Sequence, residues 1–351
     1  MNHRAIFCAF SSAALFGIST PAAKALLGST NPEILAGLLY CGAGVGVAVL
    51  RRLGGSILPP PNAREVGLGR ADMPWLAGAI VAGGIIAPVL LLLGLTRTAA
   101  AAASLLLALE GVATALMAWF LFHENFDRRI ALGMGCLVAG AAVLSWSGEI
   151  TVSSVVGPLA IVGACIAWGL DNNLTRKISL SDPLQIVQLK GLVAGPVNVA
   201  LGLWIGGELP SWPAMTAAGI VGFLGYGVSL ALFVVALRNL GTARTAAYFA
   251  TAPLFGAVAA ILGLGEPITL QLVIAGLLMG LGVWLHLTER HHHSHVHEPM
   301  DHSHPHTHDE HHQHVHAPEE SASEPHTHWH RHGRLGHVHR HVPDMHHRHR
   351  H

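Results

Sequence analysis

Two groups of residues in this 351-residue chain have types and spacings suited to chemistry. The first lies in residues 291–351, which hold 24 of the 27 histidines. Histidine alternates there with small or polar residues: His293, His295 and His297; His302, His304, His306 and His308; His312, His314 and His316; His326, His328, His330 and His332. Neutral imidazole is a borderline ligand suited to zinc, nickel, cobalt and copper(II), and closely repeated ligands can share such an ion in interchangeable ways. These histidines are the candidate ligands of a tail that would bind Zn, Ni, Co or Cu at several sites without fixed geometry. Nearby acids such as Glu298, Asp301, Asp309 and Glu310 add oxygen donors. Irregular spacing, with Trp, Arg and Pro interruptions, separates the segment from a purification tag. Because imidazoles titrate near pH 6.5, a tail that senses acidification is a further reading.

The second group consists of charges inside apolar runs, where each costs about 2.5–3.5 kcal/mol at the bilayer centre and normally faces a cavity or a partner. Glu110, in Ala108-Leu109-Glu110-Gly111, is the deepest acid. Asp171-Asn172-Asn173 and Lys190 fall at similar depth on consecutive runs, so an ion pair between Asp171 and Lys190 is within reach. The candidate solute or proton pathway is therefore Glu110, Asp171, Asn172, Asn173 and Lys190, with Glu110 as proton carrier or solute ligand and the others as a polar wall. The blander alternative keeps only Glu110 as unusual and has Asp171 cap or pair near the interface. Lys24, near a run's end, is expected to snorkel to the headgroups. Glu124 and Glu266, each at a helix end beside a turn, are expected to be structural.

The elements that must position these groups follow from composition. Only 11% of the chain is charged and 51% is hydrophobic, against about 25% charged in a soluble domain. The first 290 residues carry 15 Lys and Arg and 12 Asp and Glu, too few to coat a globule of that size. Lipid must solvate most of it. A bilayer-crossing helix needs about 20 apolar residues, and ten runs qualify, near 5–27, 32–50, 74–95, 98–122, 129–147, 155–175, 184–206, 213–236, 243–264 and 268–287. The first run has some features of a signal peptide, with Arg4 before it and small residues after Pro21, but its apolar length is greater and the repeat below requires it.

With a cytoplasmic N-terminus, the inside segments hold Arg4, Arg51, Arg52, Arg64, Arg70, Arg128, Arg129, Arg176, Lys177, Arg238 and Arg244, whereas the outside ones hold Lys24 and Arg97. That bias places both termini and the tail in the cytoplasm of a plasma or inner membrane protein. Nucleic-acid binding has no basic face to use. Cys8, Cys41, Cys136 and Cys165 sit inside apolar runs as small hydrophobes. The tail cannot bury enough apolar surface to offset its ordering entropy, so it is expected to be disordered.

The runs repeat. Leu121-Phe122-His123-Glu124 answers Leu264-Gly265-Glu266 at a spacing of 142, and Leu15-Phe16-Gly17 answers Ala167-Trp168-Gly169 at 152. Two halves of five spans, an odd number, enter the membrane in opposite directions. The fold class expected is an all-α integral membrane protein of ten transmembrane helices in two inverted five-helix repeats, residues 1–148 and 149–290, plus the tail 291–351.

Ala252-Pro253-Leu254-Phe255, Gly265-Glu266-Pro267 and Ala275-Gly276 to Gly282-Val283 in the second half, with Leu107 to Gly111, His123-Glu124 and Gly133 to Gly140 in the first, carry a resemblance. Over residues 5–287 the chain resembles the EamA-type permeases of the drug/metabolite transporter superfamily. The first half departs from the pattern, with Glu110-Gly111 opposite Ala252-Pro253 and His123 before Glu124. The resemblance implies a central cavity between the halves and secondary transport, frequently export, of a small organic solute. No cofactor is required for that.

Two other readings stay open: a Zn, Ni or Co permease fed or regulated by the tail, and a membrane-anchored metal buffer or sensor that does not transport. Against the permease, the spans hold no His beyond His286 and the boundary residue His123. An enzyme is not expected, because His123-Glu124-Asn125-Phe126-Asp127 lacks the second His of a zinc-protease helix. The partners expected are the lipid bilayer and a small-molecule or ion substrate, and the sequence allows a homodimer.

Overall fold

The structure, a computed structural model, describes residues 3–53, 68–122, 128–145, 152–178, 181–240, 248–287 and, in the tail, 292–297, 300–306, 326–332 and 335–340. The body is helical throughout its described residues. Helix α1 (His3–Leu26) and α2 (Pro32–Leu53) are joined by a short 3-10 turn. Helix α3 (Met73–Ala79) passes through a π-helical segment, Ile80–Ile86, into α4 (Ala87–Arg97). Helix α5 (Ala100–Leu106) breaks at Leu107-Ala108 and resumes as α6 (Leu109–Phe122). Then come α7 (Arg128–Ser145), α8 (Val152–Lys177) and α9 (Pro183–Trp204). Helix α10 (Trp212–Gly222) passes through a second π-segment, Phe223–Val228, into α11 (Ser229–Leu240). After a helical pair at Tyr248-Phe249 and a break at Ala250-Thr251 follow α12 (Ala252–Leu264) and α13 (Leu270–Leu287).

Among the described residues, seven helical stretches are long and apolar enough to cross a membrane, and three shorter apolar helices lie at 131–144, 252–264 and 270–285. Together they occupy the ten apolar runs. The fourth run, expected as one uninterrupted helix over 98–122, is instead two helices meeting at Leu107-Ala108.

Close packing follows from small residues rather than from large apolar ones, since lipid tails are as apolar as leucine and association rests on contact distance. The α2/α9 contact is the most extensive in the body. Gly44 meets Gly191 there and Gly195 meets Cys41, leaving no room for a Cβ on either glycine of α9. Gly17 on α1 is pressed against the start of α12 in the same way, at Ala252 and Gly256. Leu91, Leu92, Leu95, Leu105, Leu106 and Ile161 are fully buried and form the largest apolar core. Large apolar side chains such as Phe7, Leu159, Leu262, Leu270 and Leu277 face outward, as a lipid-solvated surface requires.

Both ends are held by charge. At one end Glu266, between α12 and α13, accepts from the backbone N–H of Ala100 (2.6 Å) and Ala101 (2.8 Å), capping α5. The carboxylate complements the partial positive charge of that helix start. Lys24 donates to the carbonyls of Leu95 and Thr98, at the opposite-signed end of α4. The expectation that Lys24 snorkels to the headgroups is thus corrected: backbone carbonyls at the α4 terminus are nearer acceptors. At the other end Arg51 pairs with Asp182 at 2.8 Å, and Asp182 caps α9 through the Leu184 N–H at 2.9 Å.

The tail is not the uniformly disordered segment expected. Strands β1 (His292–His297) and β4 (Leu335–Arg340) pair antiparallel, as do β2 (Met300–His306) and β3 (His326–His332). Alternation of histidine with another residue is a period-2 pattern, which extended backbone accommodates and which makes the registers self-matching. His293 stands opposite His339 and His295 opposite His337, while His302, His304 and His306 stand opposite His330, His328 and His326.

Candidate functional site

Glu110 owes its position to the break in the fourth run. Ala108 N–H turns back to the Leu105 carbonyl (3.0 Å) and Glu110 N–H to that of Leu107 (3.0 Å), so a new helix begins at mid-depth with Glu110 in its first turn. A carboxylate is favoured there by the helix dipole. Discontinuous helices of this kind expose backbone and charge where a pathway runs. Glu110 Oε1 accepts from Asn172 Nδ2 at 2.9 Å, and the same nitrogen donates to Thr114 Oγ1 at 3.1 Å. Asn173 turns to the other side of that contact, donating to the Thr114 carbonyl (3.1 Å) and to that of Gly169 (2.8 Å). Glu110 is half-buried and Asn172 exposed. Among the described residues α6 packs chiefly on α8, whereas α5 is packed on α12 and α1. The break therefore separates a closed half, toward Glu266, from a more open half on the Arg51 side.

Asp171 and Lys190 form a second group. Lys190 Nζ lies 2.6 Å from both Asp171 oxygens, and Thr175 Oγ1 donates to Oδ1 at 2.9 Å. The Asp171 and Lys190 side chains are only 6% and 15% exposed, which makes this a buried, bidentate pair. Gly83 allows it, since a Cβ at that position would fall on the Asp171 carboxylate. The five pathway residues thus divide between two faces of α8, Glu110 with Asn172 and Asn173 on one and Asp171 with Lys190 on the other.

Sequence reasoning missed the residues that line the space beside them. The Gly83 carbonyl, in the first π-segment, accepts from Tyr40 Oη (2.5 Å) and Trp168 Nε1 (3.0 Å), and the Gly84 carbonyl accepts from Asn198 Nδ2 (2.8 Å). A π-turn alters the i→i−4 ladder and leaves such carbonyls in need of other donors. Around them stand aromatic rings from both halves. Phe16 lies 6.5 Å from Trp168, 5.8 Å from Tyr226 and 5.3 Å from Phe249, centroid to centroid, and Tyr40 lies 5.6 Å from Tyr226. The only available signals were the glycine pairs Gly83-Gly84 and Gly225/Gly227 and the scattered aromatics, none of which shows its partner.

These distortions recur. The π-segments begin at Ile80 and Phe223, and the breaks precede helices that begin at Leu109 and Ala252, in both cases 143 residues apart. The polar group does not recur, because at that spacing Pro253 stands where Glu110 would be.

No group of three or more His, Cys, Asp or Glu able to hold a metal occurs among the described residues. Of the candidate tail histidines, His308, His312, His314 and His316 lie outside the described residues, as do His123 and Glu124 in the body; the other ten candidate ligands lie on β1, β2 and β3. A recess of about 140 Å³ near Ala99, Glu266, Pro267 and Gln271 lies at the capped end, away from Glu110.

Comparison with known proteins agrees with this architecture. The EamA-like transporter family model matches residues 3–146 and again 155–288. An uncharacterized transporter of Methanothermobacter thermautotrophicus is 30% identical over 282 residues, covering 77% of this chain and 82% of the relative. The uncharacterized transporter YvbV of Bacillus subtilis is 25% identical over 275 residues, covering 76% and 85%. One crystal structure superposes with a TM-score of 0.57 at 19% identity, covering 80% of this chain and 94% of that one, a likeness of fold alone.

Proposed function

We propose that this chain, which belongs to the EamA-like transporter family and is a multi-pass membrane transporter, is a secondary exporter of a small solute that works by alternating access between two inverted five-helix repeats. On this reading the chain crosses a plasma or inner membrane ten times, with both termini and the tail in the cytoplasm, as the positive-inside bias favours. Glu110 carries a proton or binds the solute directly, and Asn172 orients it. Asp171 and Lys190 hold α8 and α9 in register beside it. The tail is a separate cytoplasmic module that binds Zn, Ni, Co or Cu.

One observation carries the reading. The backbone irregularities of the two halves fall at matching positions, two π-segments and two helix breaks, and the break in the first half sets a half-buried carboxylate in the first turn of the helix that follows. Rocking one repeat against the other about a midplane site needs bending points in both halves and one place to hold cargo. The lack of a metal-ligand cluster among the described residues supports a non-metal cargo for the helical body.

The test is flux in everted vesicles carrying the intact chain, a form ending at Arg290, and Glu110→Gln. Solute flux that survives tail removal and falls in Glu110→Gln supports the exporter. Zinc, nickel or cobalt flux that needs the tail replaces it with a metal permease. No flux of any kind, with metal still bound by the tail, replaces it with a membrane-anchored buffer.

A further inference from the structure

We infer that the Glu110 site takes an organic cation carrying an aromatic or other flat apolar group; this rests on Glu110 lining the solute pathway. A carboxylate at that depth needs a compensating positive charge. Among the described residues no cation lies within ion-pair distance of Glu110, and Lys190, at the neighbouring face of α8, is spent on both oxygens of Asp171. Two acids therefore share one lysine, and the missing charge is positive. A proton supplies it when the site is empty of cargo. A cationic solute supplies it otherwise, and the two exclude each other at the same oxygens.

The neighbouring surface has the matching character. Trp168 and Asn172 are four residues apart on α8 and so share a face, and Asn172 holds Glu110. Phe16 packs on Trp168, on Tyr226 and on Phe249, and the last three of these four rings come from the second half of the chain. Phe16, Tyr226 and Phe249 are only half-buried. Ring faces attract ammonium and guanidinium groups through their quadrupole, and more strongly where water is scarce. An anion would meet two carboxylates and one committed lysine. A neutral solute would leave Glu110 uncompensated.

The experiment uses the purified full-length chain in lipid nanodiscs and three probes of similar shape: benzyltrimethylammonium, its neutral isostere neopentylbenzene, and phenylacetate. The expected result is saturable binding of labelled benzyltrimethylammonium, displaced by protons and not by the other two. Glu110→Gln weakens it by about tenfold or more, one charge contact in a dry site. Phe16→Leu and Tyr226→Leu each weaken it about threefold, and Phe16→Tyr keeps it. Absence of saturable cation binding overturns the inference, as does cation binding unchanged in Glu110→Gln. Glu110-dependent binding of phenylacetate or neopentylbenzene overturns the cation class while the transport reading stands. The transport reading fails separately, in the vesicle assay, where flux of metal alone or no flux of any kind replaces it.

Discussion

Replacing Lys190 with Met should destabilise the helical body by about 3 kcal/mol or more, because it strands the Asp171 carboxylate in a buried site. The pair is bidentate at 2.6 Å to each oxygen, with side chains 6% and 15% exposed. Removing one member of such a pair costs about 3–5 kcal/mol, most of it the penalty of the charge left behind. Thr175 Oγ1 at 2.9 Å can keep only part of the hydrogen bonding. Asp171→Asn should cost a similar amount, since the buried Lys190 ammonium is then left without its counter-charge. The double variant Asp171→Asn/Lys190→Met removes both charges and should cost about 1 kcal/mol, so the cycle shows a coupling of about 5 kcal/mol. Reversible unfolding in mixed SDS micelles measures all four corners. Single effects that add to within about 0.5 kcal/mol would refute the reasoning. Solute flux measured on the same proteins separates support from chemistry, because a supporting pair predicts that the double variant recovers flux along with stability.

Three further outcomes follow from the geometry. Glu110→Gln keeps a hydrogen-bond acceptor for Asn172 and should change stability by less than about 1 kcal/mol while lowering solute flux by about tenfold or more; equal losses in both would make Glu110 structural. Glu266→Ala removes the acceptor of the Ala100 and Ala101 N–H groups and should cost about 1–2 kcal/mol in the same unfolding assay, with Glu266→Gln intermediate. Gly83→Ala places a methyl on the Asp171 carboxylate and should cost about 1–3 kcal/mol, whereas Gly263→Ala, whose Cβ meets nothing, should be neutral to within about 0.5 kcal/mol.

How much of this was readable beforehand depends on the range of the interaction concerned. Apolar run length is local, and it placed the ten helical stretches. The cost of burying charge is also local, and it singled out Glu110, Asp171 and Lys190 without a structure. What the sequence withheld were relations between distant residues. Asn172 is tied to Glu110 across 62 positions, and Tyr40 and Trp168 share the Gly83 carbonyl across 43 and 85. Lys24 was misjudged for the same reason: its acceptors, Leu95 and Thr98, are more than seventy residues away. The break at Leu107-Ala108 was hidden because Ala and Leu are strong helix formers, and tertiary contact overrode their propensity. In the tail, composition argued for disorder while the two-residue alternation that allows strand pairing was present in the same letters.

The two halves share their backbone irregularities and differ in their charges, and that division bears on how such a protein would work. A π-segment or a helix break is set by which helices cross and how closely, so duplication of the fold reproduces it, as Ile80–Ile86 and Phe223–Val228 do. A carboxylate is set by one codon and need not be copied, and Pro253 stands where Glu110 would recur. Were both halves to carry the acid, two like charges would meet at the centre, and neither could ionise freely beside the other. A single carboxylate avoids that conflict and leaves the opposing half to contribute apolar and aromatic surface, which Tyr226 and Phe249 supply. Movement is thus a property both repeats can share, while on the proposal made above the choice of cargo would rest on side chains that only their juxtaposition brings together: Phe16 from one half against Trp168, Tyr226 and Phe249 from the other, with Glu110 held by Asn172.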